Sequence, residues 1–456
     1  MSPSNGKLYF PEALTSRGWC RDVVIIVTDG VIETIATGVP APADAVRHKG
    51  IAVPGIGNLH SHAFQRGMAG LSERGGPQDD HFWSWREIMY RFLAVLTPDD
   101  VEAISALAFM EMLEAGFTAV AEFHYLHNDI GGRPYAAPGE MAGRIAAAAT
   151  GIGLTLLPVF YAHGGFGGAA PNPGQRRFVT SLDSYETLLD AARRAIAPLP
   201  DARIGVAPHS LRAVTPDELT HLVALAGDGV IHLHAAEQLR EVDDCVAVLG
   251  ARPVEWLLDN APVNARWCLV HATQMEKLET VRLARTGAVA GLCPVTEANL
   301  GDGIFPATTY LGAGGAIGIG TDSNIAISVA GELRALDYAQ RLRDRARNRL
   351  APDGASSGRR LFDLAAAGGA QALDRRIGTL AAGARADIVV LDPEHPALIG
   401  RAEDRRLDSW LFAATDRPIV SVYVGGRQVV AKGAHRDRAA ILARWRITAA
   451  RLRDAL

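Results

Sequence analysis

Eight short apolar runs, separated by Ala-, Leu- and Arg-rich stretches with helical spacing, limit the fold of this chain more than any other feature. They read IAVPGIGNL, TAVAEF, LTLLPVF, RIGVAP, VIHLHA, WCLVH, VAGLC and AIGIG. Strands alternating with helices build a parallel sheet, because each helical stretch carries the chain back to the edge where the next strand starts. Eight such units predict a closed (β/α)8 TIM-type barrel. Reactive residues in that α/β fold sit at the carboxyl ends of the strands.

The two ends of the chain have a different texture. From Leu8 to about Val53, runs such as VVIIV and VIETIA are divided by an Asp29-Gly30 turn signal, and ADIVVLD and PIVSVYVGGRQVV return to the same pattern late in the sequence. Chain ends often lie close together, so a small β-sandwich built from both ends is expected. The division is then 1–53 for its N-terminal part, 54–370 for the barrel, and 371–456 for its C-terminal part with a terminal helix. With 48% hydrophobic and 21% charged residues and a formal net charge of -4, the chain has no global field favouring nucleic acid, and a small polar substrate is the expected partner. MSPSNGKLYFPEALTS reads as no secretory leader, and no apolar stretch is long enough to cross a bilayer. Cys20, Cys245, Cys268 and Cys293 are far apart, without CxxC spacing or the density of a disulfide scaffold. A cytoplasmic protein is expected.

The ends of the predicted strands carry His60 and His62, then His209, then His234 and Glu237, then His271, and finally Asp322. Residues two apart on a strand point to the same side, so His60 and His62 can grip one ion. An imidazole from His234 and the carboxylate of Asp322 complete a set of N and O donors that suits zinc with an open position for water. An HxH pair alone arises by chance; it is the recurrence of such residues at separate strand ends that argues for a site. His232 reads as a hydrogen-bonded core residue, and His124, His127 and His163 as surface or supporting groups. His48, His81, His221, His395 and His435 read as unrelated to catalysis, and Glu122 as an extra carboxylate whose expected role is packing. The lysines are Lys7, Lys49, Lys277 and Lys432, none between His62 and His234, so a lysine bridging two metals in that interval is ruled out and one zinc per chain is expected.

NLHSHAFQRGMAG, DDHFWSWREIMYRF, EFHYLH, GVAPHSLRAVTP, HLHAAEQLREVDDC, LVHAT and GLCPVTEANLGDGIFP, in that order, resemble the N-formimino-L-glutamate deiminases, histidine-degradation enzymes of the amidohydrolase superfamily. The likeness runs from the first histidine pair to about Arg349. It implies zinc held by His60, His62, His234 and Asp322, with Glu237 and His271 in the proton-transfer and electrophilic positions. It also implies a substrate pocket lined by Gln65, Arg86, Tyr125, His209 and Arg212. A dianionic substrate needs fixed cations, and the arginine fork binds carboxylate in a bidentate manner. Taken alone, Arg86 within WSWREIMY reads equally well as a helix cap or a ring stack, and Tyr125 as packing. Three positions depart from the family pattern: Gln274 and Asn324 stand where histidines are usual, and Thr321 where serine is. They bear on the tuning of the aspartate loop and on substrate preference. A homodimer is expected by superfamily analogy.

The chemistry that follows is hydrolytic deimination. Zinc brings the pKa of its water toward about 7, Asp322 takes the proton, Glu237 passes one to the formimino nitrogen, and His271 steadies the tetrahedral centre until ammonia leaves. Two alternatives stand beside it. One is a deaminase of aromatic amidines (purine, pyrimidine or triazine) with the same metal chemistry and a flatter pocket; the other is a non-catalytic barrel serving as a scaffold.

Overall fold

The computed structural model describes residues 5–75 and 82–455. His81, read above as unrelated to catalysis, lies outside them. All eight apolar runs supply a barrel strand, although the first is divided: its Ile51–Pro54 half belongs to the terminal sheet and only the part from Ile56 enters the barrel. We number these β1 (Ile56–Ser61), β2 (Phe117–His124), β3 (Gly153–Phe160), β4 (Arg203–Ile204 with Ala207–Pro208), β5 (Ile231–Ala235), β6 (Trp267–His271), β7 (Val289–Leu292) and β8 (Ala316–Ile319). Neighbours run parallel, with Val120 of β2 beside Asn58 and His234 of β5 beside Val270. Nearly every barrel-strand residue is buried, as expected when helices cover the outside and side chains fill the inside.

β1–β4 and β5–β8 form two arcs. Bridges from Val206 to Ile231 and from Ser210 to His234 join them on one side, and a bridge from Ser61 to Asp322 joins them on the other. The RIGVAP run is interrupted rather than continuous. Gly205 N bonds Leu156 O on β3, Val206 turns to the other neighbour, and Ala207 and Pro208 return to Val159 and Phe160, so β4 changes partners within four residues. Helix Ser357–Ala372 covers the last closure. It approaches so closely that a Cβ built on Gly368 would lie 2.0 Å from Ile317 O, which explains a glycine inside a helix where it costs about 1 kcal/mol in propensity.

Both chain ends enter one nine-stranded sheet. Gly18–Thr28 and Val31–Ala36 make a hairpin turned by Asp29 and Gly30, both with positive φ (52° and 79°). The N- and C-terminal parts meet where Ile51–Pro54 pairs antiparallel with Ile388–Leu391. Phe10, Val23, Ile25 and Ile32 share a buried cluster with Ile388, Val390 and Tyr423, so side chains from both ends of the sequence make one core. The last helix, Arg438–Ala455, lies along helix Pro98–Glu114, with Arg438 on Glu114, Arg444 on Glu102 and Arg451 on Asp100. Among the described residues no helix is long and apolar enough to cross a membrane.

Candidate active site and metal centre

The bonds that close the barrel also set the site. His60 O accepts from the backbone N of Thr321 (3.1 Å) and Asp322 (2.9 Å), and His62 N donates to Asp322 O (2.9 Å). β1 therefore carries its histidine pair directly against the loop bearing the aspartate. His271, Asp322, Asn324, Ala236 and Ala272 all have φ between 42° and 68°. Such backbone is costly for residues other than glycine, and it concentrates where a site needs side chains aimed away from the strand direction.

Four ligand-type atoms converge there. His60 Nε2 lies 3.2 Å from His62 Nε2 and 3.1 Å from His234 Nε2, while Asp322 Oδ1 is 3.5 Å from His60 Nε2 and 3.2 Å from His62 Nε2. Donors held about 2.0–2.1 Å from one ion at tetrahedral angles are roughly 3.3–3.4 Å apart, so this spacing fits a divalent metal. The proton positions agree. His62 Nδ1 donates to Phe123 O (2.8 Å) and His234 Nδ1 to His209 O (3.0 Å), which leaves both Nε2 lone pairs facing inward. Burial pushes His60 down to about 3, keeping it neutral. Burial alone would raise the Asp322 pKa, but the hydrogen bond from His60 and the neighbouring His62 imidazole hold it well below the carboxylate range. Three neutral imidazoles and one carboxylate, all buried, are a zinc-type donor set whose lone pairs repel one another unless a cation lies between them.

Beside this centre, Glu237 Oε1 is 3.6 Å from His271 Nε2. Glu241 fixes the turn by accepting from Ala236 N (3.2 Å) and Glu237 N (3.0 Å). Burial pushes Glu237 up to about 7, against the opposing pull of His271 and Arg212. His271 goes the other way: burial would lower its pKa, yet the carboxylates of Glu237, Glu297 and Asp322 hold it well above the usual value. Its Nδ1 donates to Glu297 Oε1 (3.2 Å), which also accepts from Cys293 N (2.8 Å). The pair therefore sets a carboxyl poised near neutrality beside a ring whose protonated form the surrounding carboxylates favour, an arrangement suited to proton transfer to a leaving amine.

One cavity is lined by His62, Gln65, Arg86, Tyr125, His209, Arg212, His234, Glu237, His271 and Asp322, with His60 beneath. Every residue named above for metal, proton transfer or substrate is thus brought together. Gln65 Nε2 donates to Tyr125 Oη (2.8 Å), and Tyr125 Oη donates to Met89 Sδ (3.4 Å), which leaves Gln65 Oε1 buried without a partner. Arg86 does two of the things suggested for it. Its guanidinium stacks 4.5 Å from the Trp83 ring centre, and it also faces the cavity. The Nε atoms of Arg86 and Arg212 are buried and without a hydrogen-bond partner, the state of donors that await an anion. Burial keeps His209 neutral.

The remaining groups fall outside the cavity or support it. His232 bonds Ala372 O (2.8 Å), His124 bonds Leu126 O (2.9 Å), His127 bonds Val159 O (2.8 Å), and His163 pairs with Glu218 (3.0 Å). Glu122 Oε1 accepts from Ala63 N (2.7 Å) and fixes the turn after His62. The departures Thr321 and Asn324 are bonded to each other. Thr321 Oγ1 donates to Asn324 Oδ1 (2.5 Å), while Asn324 Nδ2 donates to His62 O (3.1 Å) and Asp322 O (3.0 Å), so the pair ties the aspartate loop to β1. Gln274 instead bonds Asp302 O, away from the metal ligands.

Sequence reasoning missed Tyr161, Trp85, Tyr90 and Phe178 in the cavity wall. Tyr161 follows β3 directly, so the rule that found the histidines applies to it too; its Oη accepts from Gln175 Nε2 (2.6 Å). Glu297 and Glu241 were missed because their role is to hold His271 and Glu237, and no spacing signals that.

Residues 51–429 match the family described as Amidohydrolase family, and residues 9–49 match the formimidoylglutamate deiminase HutF N-terminal domain. The chain is 52% identical to a formimidoylglutamate deiminase of Pseudomonas aeruginosa over 94% of this chain and 95% of that protein. It is 30% identical to an 8-oxoguanine deaminase of the same organism, over 94% of each. The crystal structure of an amidohydrolase from Brucella melitensis superposes with a TM-score of 0.94 at 51% identity, covering 98% of this chain and 99% of that one.

Proposed function

Because this chain belongs to the amidohydrolase family, and within it to the formimidoylglutamate deiminases, we propose that it is a zinc enzyme converting N-formimino-L-glutamate and water into N-formyl-L-glutamate and ammonia in histidine degradation. The observation that carries the substrate assignment is the pair of guanidiniums, Arg86 and Arg212, in the same cavity as the imidazole-carboxylate centre. A linear amidine with two carboxylates uses both features. Aromatic walls and the 30% identity to an 8-oxoguanine deaminase make purines the relevant comparison, but two half-buried guanidiniums whose Nε atoms are buried would go unpaired facing a neutral base.

His60, His62, His234 and Asp322 would hold zinc, whose Lewis acidity would let a water lose a proton near neutral pH. Asp322, ionised and between the histidines and His271, accepts that proton. Glu237 delivers a proton to the formimino nitrogen as its bond to carbon breaks, and His271, whose ring faces Glu237 and Asp322, steadies the oxygen of the tetrahedral centre. Gln65 Oε1 is placed to accept from the substrate, and Arg86 and Arg212 take the carboxylates. We assign the enzyme to the cytoplasm and expect a homodimer, which light scattering on the purified protein tests.

Proton NMR of the reaction decides between the two C–N bonds of the amidine. The account predicts N-formyl-L-glutamate and ammonia; formamide and glutamate would mean that the other bond is cut. In the same assay Glu237→Gln should retain zinc and turn over about 100-fold more slowly or worse. Normal turnover, or loss of zinc, would remove Glu237 from the role given to it.

A further inference from the structure

Trp83 gathers three guanidiniums from three different elements. Arg86, on its own helix Phe82–Leu93, lies 4.5 Å from the ring centre; Arg240, on helix Leu239–Leu249, 4.8 Å; and Arg212, in the loop after β4, 5.7 Å. Three like charges drawn to one indole repel one another, and stacking on a ring offsets only part of that. The carboxylate nearest to Arg240 among the described residues is Asp244, whose Oδ2 is 3.8 Å from Arg240 Nε, and both side chains are exposed. Glu241 and Glu237 are the carboxylates that act on Arg212, and Glu237 lines the inner cavity.

A second cavity adjoins this cluster, lined by Trp83, Arg86, Arg212, Arg240, one carboxylate (Asp244) and the glycines Gly164 and Gly165, so three guanidiniums face a single carboxylate there. Arg86 and Arg212 line both cavities, so the inner site and the outer chamber meet at these two side chains. The Nε atoms of both are buried and unpartnered. Arg240 faces only the outer chamber, and no step of the hydrolysis uses it.

We propose that Arg240, with Trp83 and the outer faces of Arg86 and Arg212, forms an outer carboxylate subsite, which takes a flexible dicarboxylate from solvent before it passes to the metal centre. The proposal rests on the diacid reading of the inner site. An anion held there relieves the repulsion among the three guanidiniums and raises the local concentration of substrate, an effect on capture that leaves the chemical step alone.

The test compares the zinc-loaded wild type with Arg240→Gln, Arg240→Glu and Arg240→Lys. Each is assayed on N-formimino-L-glutamate at low and high ionic strength, with glutarate, a dicarboxylate lacking the amidine, as a binding probe by calorimetry. Arg240→Gln should lower kcat/KM about fivefold at low salt, through KM with kcat little changed, and the deficit should fade as salt screens the charge. Arg240→Glu should be worse, Arg240→Lys close to wild type, and glutarate should bind the Gln variant several-fold more weakly. Unchanged kcat/KM and glutarate affinity, a loss confined to kcat, or a deficit that lysine does not restore would each overturn the subsite. A wild type that neither binds glutarate nor turns over the formimino diacid would instead overturn the substrate assignment. Glutarate binding that is intact in the wild type and untouched in Arg240→Gln would sink the outer subsite alone.

Discussion

Stripping the protein with a chelator should abolish ammonia release, and about one equivalent of zinc per chain should restore it. The reason lies in the geometry of four atoms. His60, His62, His234 and Asp322 place their donors within 4.8 Å of one another, and the two histidines whose Nδ1 protons are committed to Phe123 O and His209 O cannot turn those protons inward without losing buried hydrogen bonds. Without a cation the Nε2 lone pairs of His62 and His234 are left facing inward, so the metal-free protein should also unfold at a lower temperature. The lysine that would bridge a second metal is absent between His62 and His234. Elemental analysis of fully active protein reporting two tightly held metals per chain would contradict this, as would full turnover after chelation.

Replacing Arg86 or Arg212 with Met should cost about 2 to 5 kcal/mol in transition-state binding of N-formimino-L-glutamate, because a carboxylate would be left desolvated without its partner. Zinc content should be unchanged, since neither arginine is among the ligands. The loss should be much smaller for an analogue with one carboxylate fewer, which has no charge to strand. Equal losses on both substrates would mean that the arginines act through the Trp83 stack and support the wall rather than recognise a diacid, and the aromatic-amidine reading would regain its place.

The barrel and the cluster proposed to hold the metal were legible because both follow from short-range rules. Apolar runs bury themselves as strands, and the reactive groups sit at one end of each, which is enough to bring His60, His62, His234, His271 and Asp322 together. Contacts between distant segments were not legible. Nothing in RIGVAP foretells that Gly205 and Val206 bond to opposite neighbours. The GG within the helix Ser357–Ala372 reads as a weak helix until Ile317 O is seen beneath Gly368. Arg86 shows a further limit: stacking and ligand-facing readings were weighed as alternatives, and the side chain does both. Thr321 and Asn324 each looked like a separate departure from a family pattern, whereas the hydrogen bond between them makes them one adjustment that preserves the position of Asp322.

Ammonia release by purified, metal-assayed protein, measured as kcat/KM side by side on N-formimino-L-glutamate, N-formimino-L-aspartate, guanine and cytosine, bears most directly on the claim that this centre deiminates a linear diacid. The account predicts that the glutamate derivative leads. The two bases should trail it by roughly 10⁴-fold, because a neutral ring leaves the buried Nε atoms of Arg86 and Arg212 without partners. Comparable turnover of guanine or cytosine, or no reaction with N-formimino-L-glutamate in protein carrying its full complement of zinc, would contradict it.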